Sequence, residues 1–275
     1  MTKPLYILRS KHKIWTFDWL ELLQYRDLLY YLAWRDIKVR YKQTFIGVLW
    51  ALFQPLATMI IFSFLFGRMV KIPSDGIPYP LFVYIGLVFW TFFSAAVTNS
   101  SASFIDNEKI LTKVYFPRIL LPISSLAVAG IDFFISLSIL GGIMIFYGFV
   151  PSFMGLCILP ALAALTATFA AGAGLFLAAL NVKYRDVRFV LPFLIQLMMF
   201  TTPVIYSLKI VPHKFEWLFW LNPMAGIIDA ARAGLLGTGP IPWVSLAIAT
   251  LSTAVYVIVG FGYFKTVERY FSDVI

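Results

Sequence analysis

The chain has 275 residues, of which 61% are hydrophobic and only 13% are charged, and its mean hydropathy is +0.86. A soluble domain is nearer half apolar and a quarter charged, so this composition excludes a soluble fold and requires that apolar surface face lipid. The formal net charge of +9 would suit nucleic acid or anionic lipid, but in membrane proteins lysine and arginine collect on cytoplasmic loops, and we favour that explanation.

Apolar stretches long enough to cross a membrane occur six times. A transmembrane helix needs roughly 20 apolar residues, and the stretches that meet this requirement are 46–67, 81–101, 119–148, 154–180, 189–207 and 243–264. The sequence therefore predicts an all-α integral membrane protein, with a transmembrane domain over 46–264 between an N-terminal segment, 1–45, and a tail, 265–275. Six spans place both termini on one side. That side would carry 17 of the 22 lysines and arginines, which assigns both termini to the cytoplasm.

The segment before the first span is predicted to form an amphipathic basic helix. On a helical wheel of residues 20–44, tyrosine, leucine and valine share one arc, and polar residues that include Arg35, Lys38 and Lys42 share the opposite arc. A helix of this kind lies in the membrane interface, with its aromatic side chains at the level of the lipid headgroups. It could be a plain anchor beside the membrane, or it could also bind a cytoplasmic partner.

The cytoplasmic loop 102–118 is predicted to contain a short coupling helix over 106–116. Asp106 or Asn107 can cap this helix, and Pro117 ends it. Its charges, acidic early and basic late, suit the helix dipole. A capped helix held away from the bilayer suits contact with a protein partner, although a solvated loop helix would have the same pattern. Its apolar side consists of Ile110, Leu111, Val114 and Tyr115.

The loop before the last span, residues 208–242, contains two apolar stretches on either side of Asn222-Pro223. Each stretch is too short to cross the membrane, and Pro223 suits the first turn of a helix. We predict a pair of short re-entrant helices that dip into the outer leaflet, where protein or water must surround any non-helical backbone. Such a pair could cover an outward exit.

Asp132 is an acidic residue near the middle of the third span. A carboxylate inside the membrane suggests a function by default, and a proton-coupled mechanism would depend on this residue. The alternative is a structural aspartate that is protonated or hydrogen-bonded to serine or threonine on a neighbouring helix. Ser125 and Ser136 lie near its face, and we favour the structural role.

An aromatic stripe on the fifth span is a candidate substrate surface. Phe189, Phe193, Gln196 and Phe200 recur at steps of four, three and four, so they share one face of a helix. Aromatic rings stack on the apolar faces of sugars and an amide bonds to hydroxyls, although a lipid-facing or core stripe is the simpler interpretation. The first span adds Trp50, Phe53 and Gln54 before Pro55, where we expect a kink.

The sequence contains no catalytic or metal-binding constellation. It has no G-x-x-x-x-G-K-[ST] loop, so the chain lacks the usual cradle for the phosphates of ATP. The single cysteine, Cys157, excludes an intramolecular disulfide, and the two histidines, His12 and His213, are far apart in the sequence. We therefore expect no enzymatic activity and no cofactor or metal in this chain.

The segment from Tyr25 to Gly67 resembles the opening of the ABC type 2 permease family, and most closely that of its O-antigen and polysaccharide (lipopolysaccharide) exporters. The specific features are the run RDIKVRYKQ from Arg35 to Gln43, followed by Gly47, Trp50 and Pro55. The resemblance covers nearly the whole chain. It continues in Phe116-Pro117-Arg118, Pro122, the run NVKYRD from Asn181 to Asp186, the run PVIY from Pro203 to Tyr206, and Asn222-Pro223-Met224.

This resemblance implies the membrane subunit of a bacterial inner-membrane exporter. Such a subunit would form a homodimer with two copies of a separate ATPase chain, which would bind ATP and Mg²⁺. The substrate would be a lipid-linked glycan, typically undecaprenyl-pyrophosphate-linked O-antigen, drawn through a channel at the dimer interface. No nucleic acid partner is expected.

The resemblance also implies roles for particular residues. The amphipathic helix and the coupling helix would dock the ATPase, the latter through Asn107, Glu108, Ile110, Leu111, Val114 and Tyr115. The first and fifth spans commonly line the channel in this family, which makes Trp50, Phe53, Gln54, Phe189, Phe193, Gln196 and Phe200 candidate channel residues. The pyrophosphate could meet Arg35, Arg40 and Lys42.

Three alternatives stay open. Capsule and teichoic acid exporters share these motifs. A membrane glycosyltransferase or ligase would need acidic residues on a loop, and the outer loop 208–242 offers only Glu216 and Asp229. A proton-coupled carrier would depend on Asp132, and the absence of internal repeats argues against a secondary carrier.

Overall fold

The structure is a computed structural model that describes residues 23–42, 47–184, 186–237 and 239–268. The side chains of 47–51, His213 and Glu216 lie outside this description, as do the predicted cytoplasmic residues 1–22 and 269–275 and the basic residue Arg185. The described ranges are helical and contain no β-strand, which confirms the all-α class.

Ten α-helices follow one another in the described part of the chain. They are α1 (Arg26–Lys42), α2 (Gly47–Phe62), α3 (Tyr79–Asp106), α4 (Glu108–Leu111), α5 (Leu120–Phe146), α6 (Phe153–Lys183), α7 (Val187–Thr201), α8 (Glu216–Trp220), α9 (Pro223–Leu236) and α10 (Trp243–Val267). A π-helical segment, Ser63–Met69, continues α2, and two 3₁₀ turns, Leu208–Ile210 and His213–Phe215, precede α8.

Five helical segments are long and apolar enough to cross a membrane: Leu52–Met69, α3, α5, α6 and α10. The chain is therefore an integral membrane protein. The helix at the predicted span 189–207 is α7, which begins at Val187 and has only 15 residues. It reaches about 22 Å at 1.5 Å per residue, less than the roughly 30 Å of a hydrocarbon core. This helix ends early because Thr202 precedes Pro203 and takes an extended conformation, with φ −96° and ψ 139°.

Helix α3 is the centre of the bundle. Most of its side chains are buried, and α2, α5, α6, α7 and α9 pack around it. Ring contacts hold these helices together: Phe93 stacks on Phe169 of α6 with 4.5 Å between the ring centroids, and Phe89 meets Phe133 of α5 edge to face at 5.4 Å.

Glycines bring α6 close to two neighbours. A Cβ atom added to Gly260 of α10 would overlap the carbonyl oxygen of Gly172 on α6. A Cβ atom on Gly155, at the start of α6, would overlap the carbonyl oxygen of Gly234 on α9. Small residues of this kind allow close packing between helices in lipid, where apolar burial gives little preference for protein contact.

Helix α1 packs against the end of the bundle where α3 ends and α5 begins. Its Leu32 is 5% exposed and lies in a buried cluster with Phe104, Leu120 and Phe264. The predicted apolar side of the helix is therefore turned partly towards protein. The exposed side also carries aromatic rings, namely Tyr30, Tyr31 and Trp34, so α1 is less cleanly amphipathic than the sequence predicted.

Helices α8 and α9 lie at the opposite end of the bundle, beside the beginnings of α3, α6 and α10. The prediction of two short helices around Asn222-Pro223 is correct. Asn222 caps α9, since its side chain accepts a hydrogen bond from the Met224 amide at 3.1 Å, and Pro223 occupies the first turn. Nearly all residues of α9 are buried.

Candidate functional site

The aromatic stripe of α7 lies on the exposed face of the helix. Phe189 is 72% exposed and Phe193 is 60% exposed, and Gln196 and Phe200 share this exposed face. The opposite face buries Leu191 against α3. The stripe is therefore not part of the core of this subunit. It is available to lipid, to a substrate or to a second subunit.

The second aromatic set, on α2, is exposed as well. Phe53 and Gln54 are exposed, and Pro55 is buried inside the helix. The side chain of Trp50 lies outside the described residues. Helix α2 packs mainly on α3 and α5, whereas α7 packs on α3 and α6. The two predicted channel sets are therefore on two different helices, and each helix has a face that this subunit leaves uncovered.

A cavity of about 640 Å³ lies between α1, the end of α3 and the beginning of α5. Its charged lining residues are Arg35, Asp36, Arg40, Asp106 and Lys109, and Asn107 and Ile110 border it as well. The structure thus brings two of the predicted pyrophosphate residues next to two of the predicted docking residues. Lys42, the third predicted cation, is the last residue of α1 and does not border this cavity.

Both arginines of this cavity already have carboxylate partners. The Arg35 guanidinium donates to its neighbour Asp36 at 2.7 Å, and Arg40 pairs with Asp132 of α5 at 2.6 Å. The Tyr41 hydroxyl donates to the other oxygen of Asp132. Burial raises the pKa of Tyr41, and the adjacent Asp132 carboxylate raises it further. Tyr41 therefore keeps its proton and remains a donor at neutral pH.

These contacts correct the expectation for Asp132. We expected serine or threonine partners, but the Ser125 hydroxyl donates to the Pro122 carbonyl, and the partners of Asp132 are Arg40 and Tyr41 of α1. A carboxylate near the middle of a span is stabilised by an ion pair and a phenol. This arrangement fastens α1 to α5 and favours a structural role over proton transfer.

The predicted coupling helix is shorter than expected. The helix that follows α3 is the single turn Glu108–Leu111 instead of residues 106–116. Asn107 stands at the cap position, but its side chain donates to the Ser103 carbonyl at 2.8 Å and caps nothing. The helix thus ends five residues before Phe116, whose buried ring packs in a cluster with Leu120, and Pro117 keeps Phe116 out of a helical conformation.

This loop nevertheless exposes the apolar side chains that the sequence singled out. Tyr115 is 85% exposed, Val114 and Glu108 are exposed too, and Ile110 and Leu111 are half-buried against the bundle. An exposed tyrosine and valine beside a charged cavity form a surface that another protein could cover.

Arg232 is the residue whose importance the sequence did not reveal. It lies within 208–242, the segment predicted to be the outer loop, but it is 5% exposed on α9. Its guanidinium donates to the Phe82 carbonyl at 3.2 Å, and Cζ lies 3.6 Å from the centre of the Phe82 ring. It also donates to the segment after α7, to the carbonyls of Pro203 at 2.7 Å, Val204 at 2.6 Å and Tyr206 at 3.4 Å.

The function of Arg232 follows from this geometry. The chain leaves α7 at Thr202, so the carbonyls of residues 203–206 have lost their helical partners. A buried carbonyl without a hydrogen bond is costly, and a planar guanidinium supplies five donors in a fixed arrangement. Arg232 therefore ties the non-helical segment after α7 to α3 and α9.

Comparison with known proteins supports an assignment to one family. The ABC-2 type transporter family matches residues 27–236. The O-antigen export system permease protein RfbA of Klebsiella pneumoniae is 31% identical over 249 residues, which are 90% of this chain and 95% of that protein. RfbA of Myxococcus xanthus is 32% identical over 216 residues, 78% of this chain and 82% of that protein. The polysialic acid transport protein KpsM of Escherichia coli is 23% identical over 240 residues, 86% and 91% of the two chains.

Proposed function

The chain belongs to the ABC-2 type transporter family, and on this premise we propose that it is the membrane subunit of a polysaccharide exporter. The substrate would be a lipid-linked glycan, with undecaprenyl-pyrophosphate-linked O-antigen as the first candidate, moved across a bacterial inner membrane. A separate subunit would bind ATP and Mg²⁺ and hydrolyse the nucleotide. The observation that carries the proposal is the 31% identity to an O-antigen export permease over 90% of this chain.

The uncovered faces of α2 and α7 support a homodimer. Very little of the segment Leu52–Met69 is buried within the subunit, and the stripe of α7 is exposed along its whole length. The amides of Gln54 and Gln196 on these two faces would be costly in contact with lipid alone. A second copy of the chain could bring both faces onto one passage, with aromatic rings for the sugar faces and amides for the hydroxyls.

A six-span topology with cytoplasmic termini fits this proposal. Helix α7 would be the fifth span, and the bent segment held by Arg232 would complete the crossing. At this depth such backbone requires protein partners, and Arg232 supplies them through its contacts with the carbonyls of Pro203, Val204 and Tyr206. Helices α8 and α9 would then form the outer, re-entrant cover.

The opposite end would dock the ATPase. The loop around α4 and the helix α1 border one cavity there, and the Arg40–Asp132 ion pair connects α1 to α5. Movement of a docked ATPase would reach the transmembrane bundle through this connection. Since Arg35 and Arg40 already pair with carboxylates, their contact with a pyrophosphate would require that these pairs open.

The docking proposal is tested by co-purification with a candidate ATPase subunit. Wild type should form a complex, and Tyr115→Ala should weaken it, because Tyr115 is 85% exposed beside α4. Phe153→Ala is the matched control, since Phe153 is 82% exposed at the opposite end, at the start of α6. Equal effects of the two variants would contradict the docking surface. A wild-type chain that forms no complex with the ATPase would contradict the exporter itself.

The coupling proposal is tested by comparing Arg40→Met with Asp132→Asn. If Asp132 acts through Arg40, the two variants should lower glycan export per ATP by similar factors, and the double variant should add little to either. A proton carrier predicts another result, in which Asp132→Asn abolishes transport and Arg40→Met leaves it unchanged. That result would overturn the structural role.

A further inference from the structure

A cavity of about 460 Å³ opens at the end of the bundle that carries α8 and α9. Its volume falls within the roughly 300–1,000 Å³ that small-molecule sites commonly occupy. The cavity exists because its floor is made of small buried residues, Ala225 and Gly226 of α9 and Ala249 of α10. Gly226 lies so close to α10 that an added Cβ would come within 2.6 Å of the Ser245 carbonyl oxygen.

The polar groups of this cavity include a carboxylate that is free to accept. Asp229 is half-buried in the lining, and no residue in the described part of the chain donates a hydrogen bond to its carboxylate. The Ser245 hydroxyl, also in the lining, has no hydrogen bond within the described ranges either. Both groups border the cavity and are available to hydrogen-bond a ligand there.

The charges around Asp229 come from three segments. Arg232 is on the same helix and directs its guanidinium towards residues 203–206. Lys209 borders the cavity but pairs with Asp75 at 3.5 Å, and Asp75 accepts a hydrogen bond from Ser207 at 2.8 Å. Burial raises the pKa of Asp229, Arg232 and Lys209 oppose this rise, and Asp75 adds to it.

Apart from Asn222, which caps α9, the remaining lining residues of the cavity are aromatic and apolar. Phe219 and Trp220, at the end of α8, line it together with Leu208, Val211 and Ile248. Trp220 is 51% exposed, so a large ring stands at the open side of a cavity whose inner side offers hydrogen-bonding groups. An amphipathic ring of this kind suits a ligand that has one apolar face and several polar edges.

We propose that this cavity binds a sugar residue, with neighbouring hydroxyls donating to the Asp229 carboxylate and the apolar face of the ring against Trp220. A carboxylate accepts two parallel hydrogen bonds, and adjacent hydroxyls of a pyranose can supply them. A free carboxylate disfavours an anionic ligand such as phosphate. The choice of a sugar over other hydroxyl-bearing ligands rests on the glycan export proposed above. The site would hold the glycan as it leaves the bundle.

The test is saturation-transfer difference NMR on the full chain in lipid nanodiscs. The probes are free D-mannose, D-galactose, L-rhamnose and N-acetyl-D-glucosamine. At least one sugar should receive saturation from the protein, and its binding should weaken about tenfold in Trp220→Ala and in Asp229→Ala. Trp217→Ala is the matched control, because Trp217 is on the same helix and 55% exposed but does not line the cavity. This variant should bind as wild type does.

Two results would overturn the site: no saturation transfer to any of the four sugars, or transfer that all three variants leave unchanged. Trp220→Ala alters an exposed ring, so it still tests the site if Asp229→Ala does not fold. The binding measurement needs no ATPase and no export. A wild-type chain that binds its ATPase but no sugar would refute this inference alone, whereas sugar binding without an ATPase complex would refute the exporter and leave the cavity's ligand in place.

Discussion

Replacement of Arg232 by methionine should cost the chain a large share of its stability. The guanidinium is 5% exposed and donates to four carbonyls, those of Phe82, Pro203, Val204 and Tyr206. Methionine fills much of the same volume, so the loss is chiefly that of the polar partner. Removing one partner of a buried charged group costs about 3–5 kcal/mol, because the groups left behind stay buried and unsatisfied.

Thermal unfolding of the purified chain in detergent measures this loss. At about 3–5 kcal/mol the apparent Tm should fall by about 10 °C. Arg232→Lys keeps the charge but lacks the planar arrangement of donors, so it should fall between wild type and Arg232→Met. Arg68→Met is the control, since Arg68 is exposed and its replacement should cost less than about 0.5 kcal/mol. Equal Tm values for Arg232→Met and Arg68→Met would refute the tie between Arg232 and residues 203–206.

Three further outcomes are expected. Gly260→Ala should force α6 and α10 apart and lower the free energy of unfolding by about 1–3 kcal/mol, which a lower Tm would show. Gly141→Ala places its methyl group in open space and should be nearly neutral. Similar Tm values for the two variants would argue against close contact between α6 and α10. Phe193→Leu should lower glycan export several-fold and leave ATPase binding intact. Phe134 is similarly exposed, so if Phe134→Leu lowers export as much, the α7 stripe merely faces lipid. Sugar binding should weaken as the pH falls through the raised pKa of Asp229, because the protonated carboxyl accepts fewer hydrogen bonds from the sugar. The residual binding of Asp229→Asn should not change with pH. If the affinity of wild type for sugar does not fall with pH in an NMR titration, the Asp229 carboxylate does not bind the sugar.

Composition and apolar length were sufficient to predict the class and most of the spans. Five of the six predicted spans have a helix long enough to cross a membrane. An unbroken apolar segment in lipid forms a helix because a helix satisfies the hydrogen bonds of its own backbone. The sequence also predicted the start of α9 at Asn222-Pro223, because the cap and the proline depend only on residues within the first turn of the helix. The stripe of α7 also formed one face as its spacing predicted, although the spacing did not reveal what covers that face.

The rest depended on contacts between distant parts of the sequence. Nothing near Asp132 indicated that its partners are Arg40 and Tyr41, about 90 positions earlier. The basic residue in the outer loop, Arg232, looked like any other loop charge. Its burial follows from carbonyls that α7 leaves unpaired some 26 to 29 positions before it, and helical periodicity carries no information about such groups.

The two ion-dependent contacts share one physical reason. Lipid is as apolar as leucine, so apolar burial does little to fix an element that does not itself cross the membrane. A buried charge or carbonyl, by contrast, is costly unless it meets its partner, and it meets that partner in only one arrangement. Arg40 fixes α1 to α5 at one end, and Arg232 fixes the segment after α7 to α3 and α9 at the other. In the proposed exporter, rearrangements at either end would therefore have to keep these contacts or exchange them for others.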